Sequence, residues 1–480
     1  MKTNSRILQI LKPLSAILIA AFFAVSPSHA EDGTIPGLAA TENSAVNTDS
    51  AADKNASAAD GNYIPKITLE DYRKNAVNNN HEIREMEYLR LAAAETKKMA
   101  FTKYFPQAAI GAFAGDTNII HGMLSLNGLG KDLTEPFTDS NVGGTMAIAA
   151  AVQPLYMGRR IVNGNKLAAI GEAAALQQLL MKKQEVSLEA EKKYRLVQLL
   201  EKKMGTVIAY EKLLDSLHSM VSQALENGLC SKTDFLRVKL KKEEVAVKKE
   251  QLRKLTALAK REMKVYAGMP PEEDFALLYG EETPQNPDYD INSLKEKVLE
   301  RPEHKLLVMN AQAAELQKKM KCGEYMPQAI AGAAIYSESI FIDNHFSKSD
   351  AHYNDTAVFA AITMPISGWW EASHTVKDLK YKEDAAKKKL QDLDKYLLLD
   401  LENKLTSLET AYGEVKVAEI GLEMSKANRI EQEDGYKNGT ITLADYLKAL
   451  AEEHNDSDNL EEAKNKYFQA KTDFLNAAGE

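Results

Sequence analysis

The chain is short of aromatic residues, at 7%, and has only two cysteines and 14 prolines in 480 residues. Few large rings, with Ala, Lys, Glu and Leu dominant, point to long helices rather than the several compact domains that the length alone suggests. Cys230 and Cys322 lie far apart and make neither a disulfide framework nor a metal cluster. Positive charge does not predominate: 60 Lys and Arg stand against 69 Asp and Glu, and a net charge of −9 excludes a general nucleic-acid binder. After the first thirty residues there is no run of about twenty apolar residues, so any membrane span must be made of strands. Patterns for catalysis are also missing. The nine His are scattered, no Gly-Lys is followed by Ser or Thr, and no Cys/His or Ser/His arrangement stands out. No enzyme, cofactor or bound metal is expected.

The first thirty residues are a separate object. Lys2, Arg6 and Lys12 precede an apolar stretch at 14–25, and Ser28-His29-Ala30 offers small residues for cleavage. This predicts a Sec signal peptide at 1–30, cleaved near Ala30, and an exported chain. No Cys follows to take a lipid anchor. Residues 31–62 are rich in Ala, Ser, Asn, Asp and Thr and predict a flexible leader.

An internal repeat is the strongest signal. Tyr104-Phe105-Pro106-Gln107 returns as Tyr325-Met326-Pro327-Gln328, and Gln153-Pro154-Leu155 with Gly158 returns as Met364-Pro365-Ile366 with Gly368. Asn227-Gly228-Leu229 followed by Asp234 returns as Asn438-Gly439-Thr440 followed by Asp445, and Asn80-His81-Glu82 corresponds to Arg301-Pro302-Glu303. One unit is used twice, at 63–268 and 292–480, across a Pro-containing linker at 269–291.

Each unit reads as helix, strand, strand, long helix, turn, helix. The first helix is predicted over 69–102, with Thr68 as its N-cap. Strands are predicted at 106–116, 142–153, 327–338 and 356–366, a length suited to tilted membrane strands. Segments 118–141 and 339–355 are then expected as loops, exposing His121, His345 and His352. The Pro-free stretches 159–225 and 369–434 predict rods of roughly 100 Å. Leu200, Met204, Val207, Glu211, Leu214, His218, Val221 and Leu225 step as a coiled-coil seam, as do Leu401, Leu405, Leu408, Tyr412, Val415, Glu419 and Leu422. Lys239, Lys241, Lys242, Lys248 and Lys249 read as a solvated face. Four strands cannot close a barrel alone, so copies must share one.

With these landmarks the chain resembles the TolC family of outer-membrane efflux proteins. The match runs from Leu69 to about residue 478. It rests on Pro-Gln at each first strand, Pro-x-x-x-Gly-Arg-Arg at 154–160, and the paired Gly-Leu and Gly-Thr turns with a following Asp. The resemblance implies a mostly α protein with membrane β: a homotrimer sharing a 12-stranded β-barrel, four strands per chain, continued by a long α-helical coiled-coil tunnel across the periplasm. It implies an outer-membrane exit duct of a tripartite efflux or type I secretion system. Its partners would be outer-membrane lipid, a periplasmic adaptor (membrane fusion protein) and an inner-membrane pump of the RND, ABC or MFS type. A soluble periplasmic coiled-coil scaffold or adaptor is the other reading, but it need not repeat two strand pairs.

The same resemblance places the turns Gly228-Leu229 and Gly439-Thr440 at the periplasmic tip, where the adaptor docks and the tunnel narrows. Tyr436 and Asp234 match members of the gate latch. The latch Arg, however, falls on Ile441, so that ion pair is unavailable. The tunnel-facing Asp matches Asp445, and the usual second Asp falls on Lys448. A ring of Asp445 carboxylates would concentrate cations, and Lys448 one turn away would partly neutralise it. From the residues alone, Ser231 and Thr442 are candidate caps of the returning helices. Tyr104, Phe105, Tyr156, Tyr325, Trp369 and Trp370 gather where helix meets strand, as an interfacial belt or as ordinary corner packing.

Overall fold

A computed structural model of the chain describes residues 66–115, 140–270, 275–280, 282–344 and 347–479. The expected signal peptide and leader lie outside them, as do His121 and His345.

Each repeat opens with two short helices rather than one. Thr68 Oγ1 accepts the Asp71 N–H at 3.2 Å and starts α1 (Leu69–Asn79). The helix predicted over 69–102 breaks at Asn80, which adopts φ −66°, ψ 131°. Its N–H closes α1 on the Ala76 carbonyl, and its side chain accepts the Glu82 N–H at 2.8 Å to start α2 (His81–Thr102). A short polar side chain supplies the lost helical bond, which is why Asn can interrupt a helix here. In the second repeat Arg301-Pro302 makes the equivalent break between α5 (Ile291–Leu299) and α6 (Pro302–Glu324), with Pro at a position that needs no N–H donor.

The strands β2 (Gln107–Gly115), β3 (Ser140–Met157), β5 (Gln328–Asn344) and β6 (Ser347–Thr363) form one antiparallel sheet in the order β2-β3-β5-β6. A separate parallel pair joins β1 (Lys66–Ile67) to β4 (Ala276–Leu277). The loop expected at 339–355 is instead strand on both arms, and Ser339 Oγ lies 2.6 Å from His352 Nδ1 across them. Ser, Asp and Asn there keep the period-2 pairing although they are not apolar, so hydropathy alone ended the strands too soon. One face of the sheet carries small and apolar side chains: Ile110, Ala149, Ala331, Ile335, Val358 and Ile362. The opposite face carries Tyr336, Asp355 and Phe359, with Ile148, Ala150 and Ala334 buried among them.

The sheet runs into two very long helices, α3 (Arg160–Glu226, 67 residues) and α7 (Trp369–Lys437, 69 residues), about 100 Å each. Each folds back through α4 (Lys232–Tyr266) or α8 (Leu443–Ala478). Along α3 lie α1, α2 and α4; along α7 lie α5, α6 and α8; and α3 also packs on α6 and α8 of the other repeat. Toward the tips the helices run side by side in the order α4-α3-α8-α7. The segment from 275 is no loose tether: Phe275 and Leu277 enter the first repeat's core, and Gln285 exchanges two backbone bonds with the Tyr467 hydroxyl.

The α3 seam is half as expected. Leu200, Val207, Leu214 and Val221 are buried, but Tyr210 and Leu217 share the core with them. Met204, Glu211, His218 and Leu225 flank it, because the chain steps 3 then 4 from Val207, not 4 then 3. Glu211 therefore takes an ion pair from Lys249, and His218 packs tilted against Phe235, ring centroids 5.2 Å apart. On α7, Leu401, Leu405, Leu408, Val415 and Leu422 are buried, with Tyr412 and Glu419 at the edge.

Candidate functional site

The two hairpin tips are built alike. Gly228 and Gly439 take φ +69° and +72°, the left-handed region that a side chain disfavours. The next residue's N–H reaches back to close each helix: Leu229 to the Ala224 carbonyl at 2.8 Å, Thr440 to that of Gly435 at 2.9 Å. Ser231 and Thr442 accept the N–H of Asp234 and Asp445 and donate their hydroxyls to the same carboxylates, at 2.7 and 2.6 Å. Both Asp side chains thus stand at helix N-termini, where the backbone dipole favours a negative charge. The tips pack together in one cluster holding Leu443 and Tyr446, with Cys230, Phe235 and Tyr436 packed against it.

Asp234 is half-buried and pairs with Arg237 at 3.3 Å on its own helix. Tyr436 stacks on Tyr446, ring centroids 5.7 Å apart, and the two phenols share a cause for their raised pKa: burial disfavours the phenolate, pushing Tyr446 up to about 12. Asp445 and Lys448 are exposed, and Lys448 lies 3.7 Å from Glu452. Ile441 folds over Gly435, where a Cβ would meet its Cδ1 at 2.3 Å. That contact makes Gly435 a tip residue the sequence did not single out.

At the other end, the helix–strand corners hold the aromatics. Phe101 packs edge-on against Tyr104 and Phe105. Gln153 donates to the Tyr104 carbonyl at 2.8 Å, Trp369 Nε1 donates to the Tyr325 carbonyl at 3.0 Å, and Tyr156 Oη lies 3.7 Å from Met326 Sδ. Trp370 is 83% exposed. The Pro-x-x-x-Gly-Arg-Arg run has a local cause: β3 slips register between Pro154 and Tyr156, and Gly158 and Arg159 both adopt positive φ to turn strand into helix.

Sequence reasoning missed a polar knot between α3, α4 and α8. His454 is buried and stacks flat on Tyr210 at 4.8 Å, with Lys248 Nζ 2.9 Å from its Nε2. Asp458 accepts from Thr206 and Lys248, and Lys203 pairs with Glu462. A spacing pattern along one helix could not reveal residues brought together from three. The basic run on α4 is largely paired: Lys242 with Asp215, Lys249 with Glu211, Lys241 with Glu244. Among the described residues no group of His, Cys, Asp and Glu is placed to hold a metal, and no helix is long and apolar enough to cross a membrane.

No protein-family profile and no curated protein matches the chain. Solved structures do. The outer membrane protein VceC from Vibrio cholerae superposes with a TM-score of 0.68 at 14% identity, over 86% of this chain and 96% of that one. The Campylobacter jejuni CmeC outer membrane channel gives 0.69 at 13%, over 86% and 85%. The open state of the Neisseria gonorrhoeae MtrE outer membrane channel gives 0.63 at 14%, over 86% and 88%. The chain therefore has the fold of these outer-membrane channels.

Proposed function

We propose that the chain is one subunit of an outer-membrane exit duct, a passive conduit whose barrel is completed by further copies. The observation that carries this is a four-stranded sheet, with β2 and β6 at its ends, continuing directly into helices of 67 and 69 residues. In lipid, unpaired strand edges leave backbone groups unsatisfied, so the sheet must be closed by other strands. Three copies give twelve strands, above the smallest barrels of about eight. The apolar face with Ile110, Ile335, Val358 and Ile362 would meet lipid, and the face with Tyr336 and Asp355 the lumen.

The tips then form the periplasmic entrance. Gly228, Leu229, Gly439 and Thr440 would meet an adaptor, and Asp234, Tyr436, Asp445 and Lys448 would line the constriction. The inner-membrane pump would supply energy and selectivity, so efflux and type I secretion share the same duct. Tyr104, Phe105, Tyr156, Tyr325, Trp369 and Trp370 would ring the periplasmic end of the barrel.

The test is the molar mass of the mature protein extracted from outer membranes in mild detergent, followed by conductance in planar bilayers. A multi-chain particle that conducts is expected. A chain that leaves the periplasm without detergent as a monomer would overturn the proposal.

A further inference from the structure

The chain as a whole is acidic, at −9, yet one place in it gathers positive charge. Where the two repeats meet, α1 and α3 of the first and α5, α6 and α8 of the second line a cavity of about 1030 Å³. Seven of its wall residues are cationic and three are acidic. The first repeat gives Arg73, Lys183 and Arg195, and the second gives Lys297, Arg301, Lys305 and Lys471. The acids are Glu191, Glu282 and Glu300.

The ion pairs show which of these charges are still available. Glu191 pairs with Arg73 at 3.6 Å and Arg195 at 3.5 Å, and it accepts the Thr472 hydroxyl at 2.8 Å. Glu282 takes Arg195 at 2.7 Å. Lys183 and Arg301 pair with acids outside the wall, Glu87 at 3.6 Å and Glu303 at 3.1 Å. Lys305 and Lys471 have no ion pair among the described residues. Arg195 is only 7% exposed, its guanidinium lies over the Phe468 ring at 4.6 Å, and its Nε is buried without an acceptor. A buried donor left unpaired is costly, and an acceptor reaching the guanidinium from the cavity would offset that cost.

Much of the remaining wall is apolar. Val77, Leu180, Leu188, Phe468 and Leu475 line the same space, and Leu180 is 41% exposed. Unpaired cations beside open hydrocarbon suit neither a metal ion nor a neutral oil; they suit an acid group on an apolar body. The volume is that of sites for drug-sized molecules, roughly 300–1,000 Å³. Along α3 the cavity lies about 25–50 Å from the sheet end at Arg160, so its ligand comes from water and not from a membrane around the sheet.

We infer that this cavity binds a soluble organic anion of drug size, its carboxylate, sulfonate or phosphate group held by Lys305, Lys471 and the Arg195 guanidinium, and its apolar body laid on Leu180, Leu188, Phe468 and Leu475. The occupant touches both repeats, so binding ties them together and stabilises the folded chain. Every wall belongs to one chain, so the site stands or falls apart from the shared barrel.

The experiment uses the full mature chain in a non-ionic detergent at about pH 7, where a carboxylic acid is ionised. The probe is naphthylacetate, measured by equilibrium dialysis against protein-free micelles. One probe per chain, with a Kd below about 1 mM, is expected. Naphthylethanol keeps the body without the charge, and acetate keeps the charge without the body; each should bind about tenfold more weakly or worse. Lys305→Ala with Lys471→Ala breaks no ion pair of the described chain and should weaken the probe about tenfold at unchanged helix content. Lys239→Ala with Lys426→Ala, two exposed lysines away from the cavity, should leave it unchanged. A probe that does not bind overturns the site, as does binding that the Lys305 and Lys471 changes leave intact. Equal weakening by the Lys239 and Lys426 changes reduces the effect to net charge and overturns it too. Naphthylethanol bound as tightly as the probe overturns the role of the cations. Acetate bound as tightly leaves a counter-ion site and overturns the organic ligand.

Discussion

Gly158, at the end of β3, and Gly323, at the end of α6, face each other so closely that a Cβ on either would meet the other's carbonyl oxygen, at 2.0 and 2.2 Å. Both contacts are with backbone, which cannot rotate away. Gly323→Ala should therefore push the helix off the strand end and destabilise the chain by about 1–3 kcal/mol, as overpacking does. Gly205→Ala, in the middle of α3 with nothing near its missing Cβ, should instead stabilise by about 0.5–1 kcal/mol. Denaturant unfolding of the two variants checks the opposite signs.

The tips separate two roles of glycine. A Cβ at Gly228 or Gly439 meets nothing within 4 Å, so alanine there meets only the left-handed backbone penalty of about 1–2 kcal/mol. At Gly435 the obstacle is the Ile441 side chain. Gly435→Ala should shift the second tip, and Gly435→Ala with Ile441→Ala should recover much of the loss, whereas no companion change rescues Gly439→Ala. Thermal unfolding of the single and double variants distinguishes them.

His454 gives stability a pH dependence of known sign. Burial pushes its pKa below the ordinary 6.5; Lys248 on α4 and Lys203 on α3 act in the same direction, Asp458 against them, and Tyr210 covers the ring. The folded chain keeps the imidazole neutral where the unfolded chain protonates it. The unfolded state then binds more protons, so this contribution to stability is full above 6.5 and falls as the pH drops from there toward the folded pKa. His454→Phe keeps the stack and removes the titration. Its unfolding midpoint should change less between about pH 7.5 and about pH 5 than that of the parent chain.

At the proposed entrance, Asp445 is exposed and each copy would contribute one carboxylate to a ring around the axis. Asp445→Asn should lower cation preference in planar bilayers, and Lys448→Asp should raise it, by supplying a second acidic ring. Unchanged reversal potentials in both variants would remove Asp445 from the constriction. Because Asp445 also accepts the Thr442 hydroxyl, Thr442→Ala serves as the control for loss of the cap, about 1 kcal/mol.

Much of the architecture was written in local chemistry. Thr68, Ser231 and Thr442 were legible as caps because a hydroxyl before an apolar-periodic run has one strong use, and Gly228 and Gly439 as helix ends because only glycine enters the left-handed region freely. The duplication, the membrane-length strands and the two Pro-free rods also follow from the sequence by itself. Tertiary structure alone decided the rest. It split 69–102 at Asn80, where a side chain replaced a helical bond. It extended the second hairpin through polar residues whose partners lie across the strand. It turned the α3 seam by one step, setting Tyr210 inward and Glu211 and His218 to its flanks. It gathered His454, Tyr210, Lys248 and Asp458 from three helices, and set Gly158 against Gly323. The physical reason is common to these cases: periodicity records which face of an element is apolar, whereas the identity and register of the surface that meets it depend on distant parts of the chain.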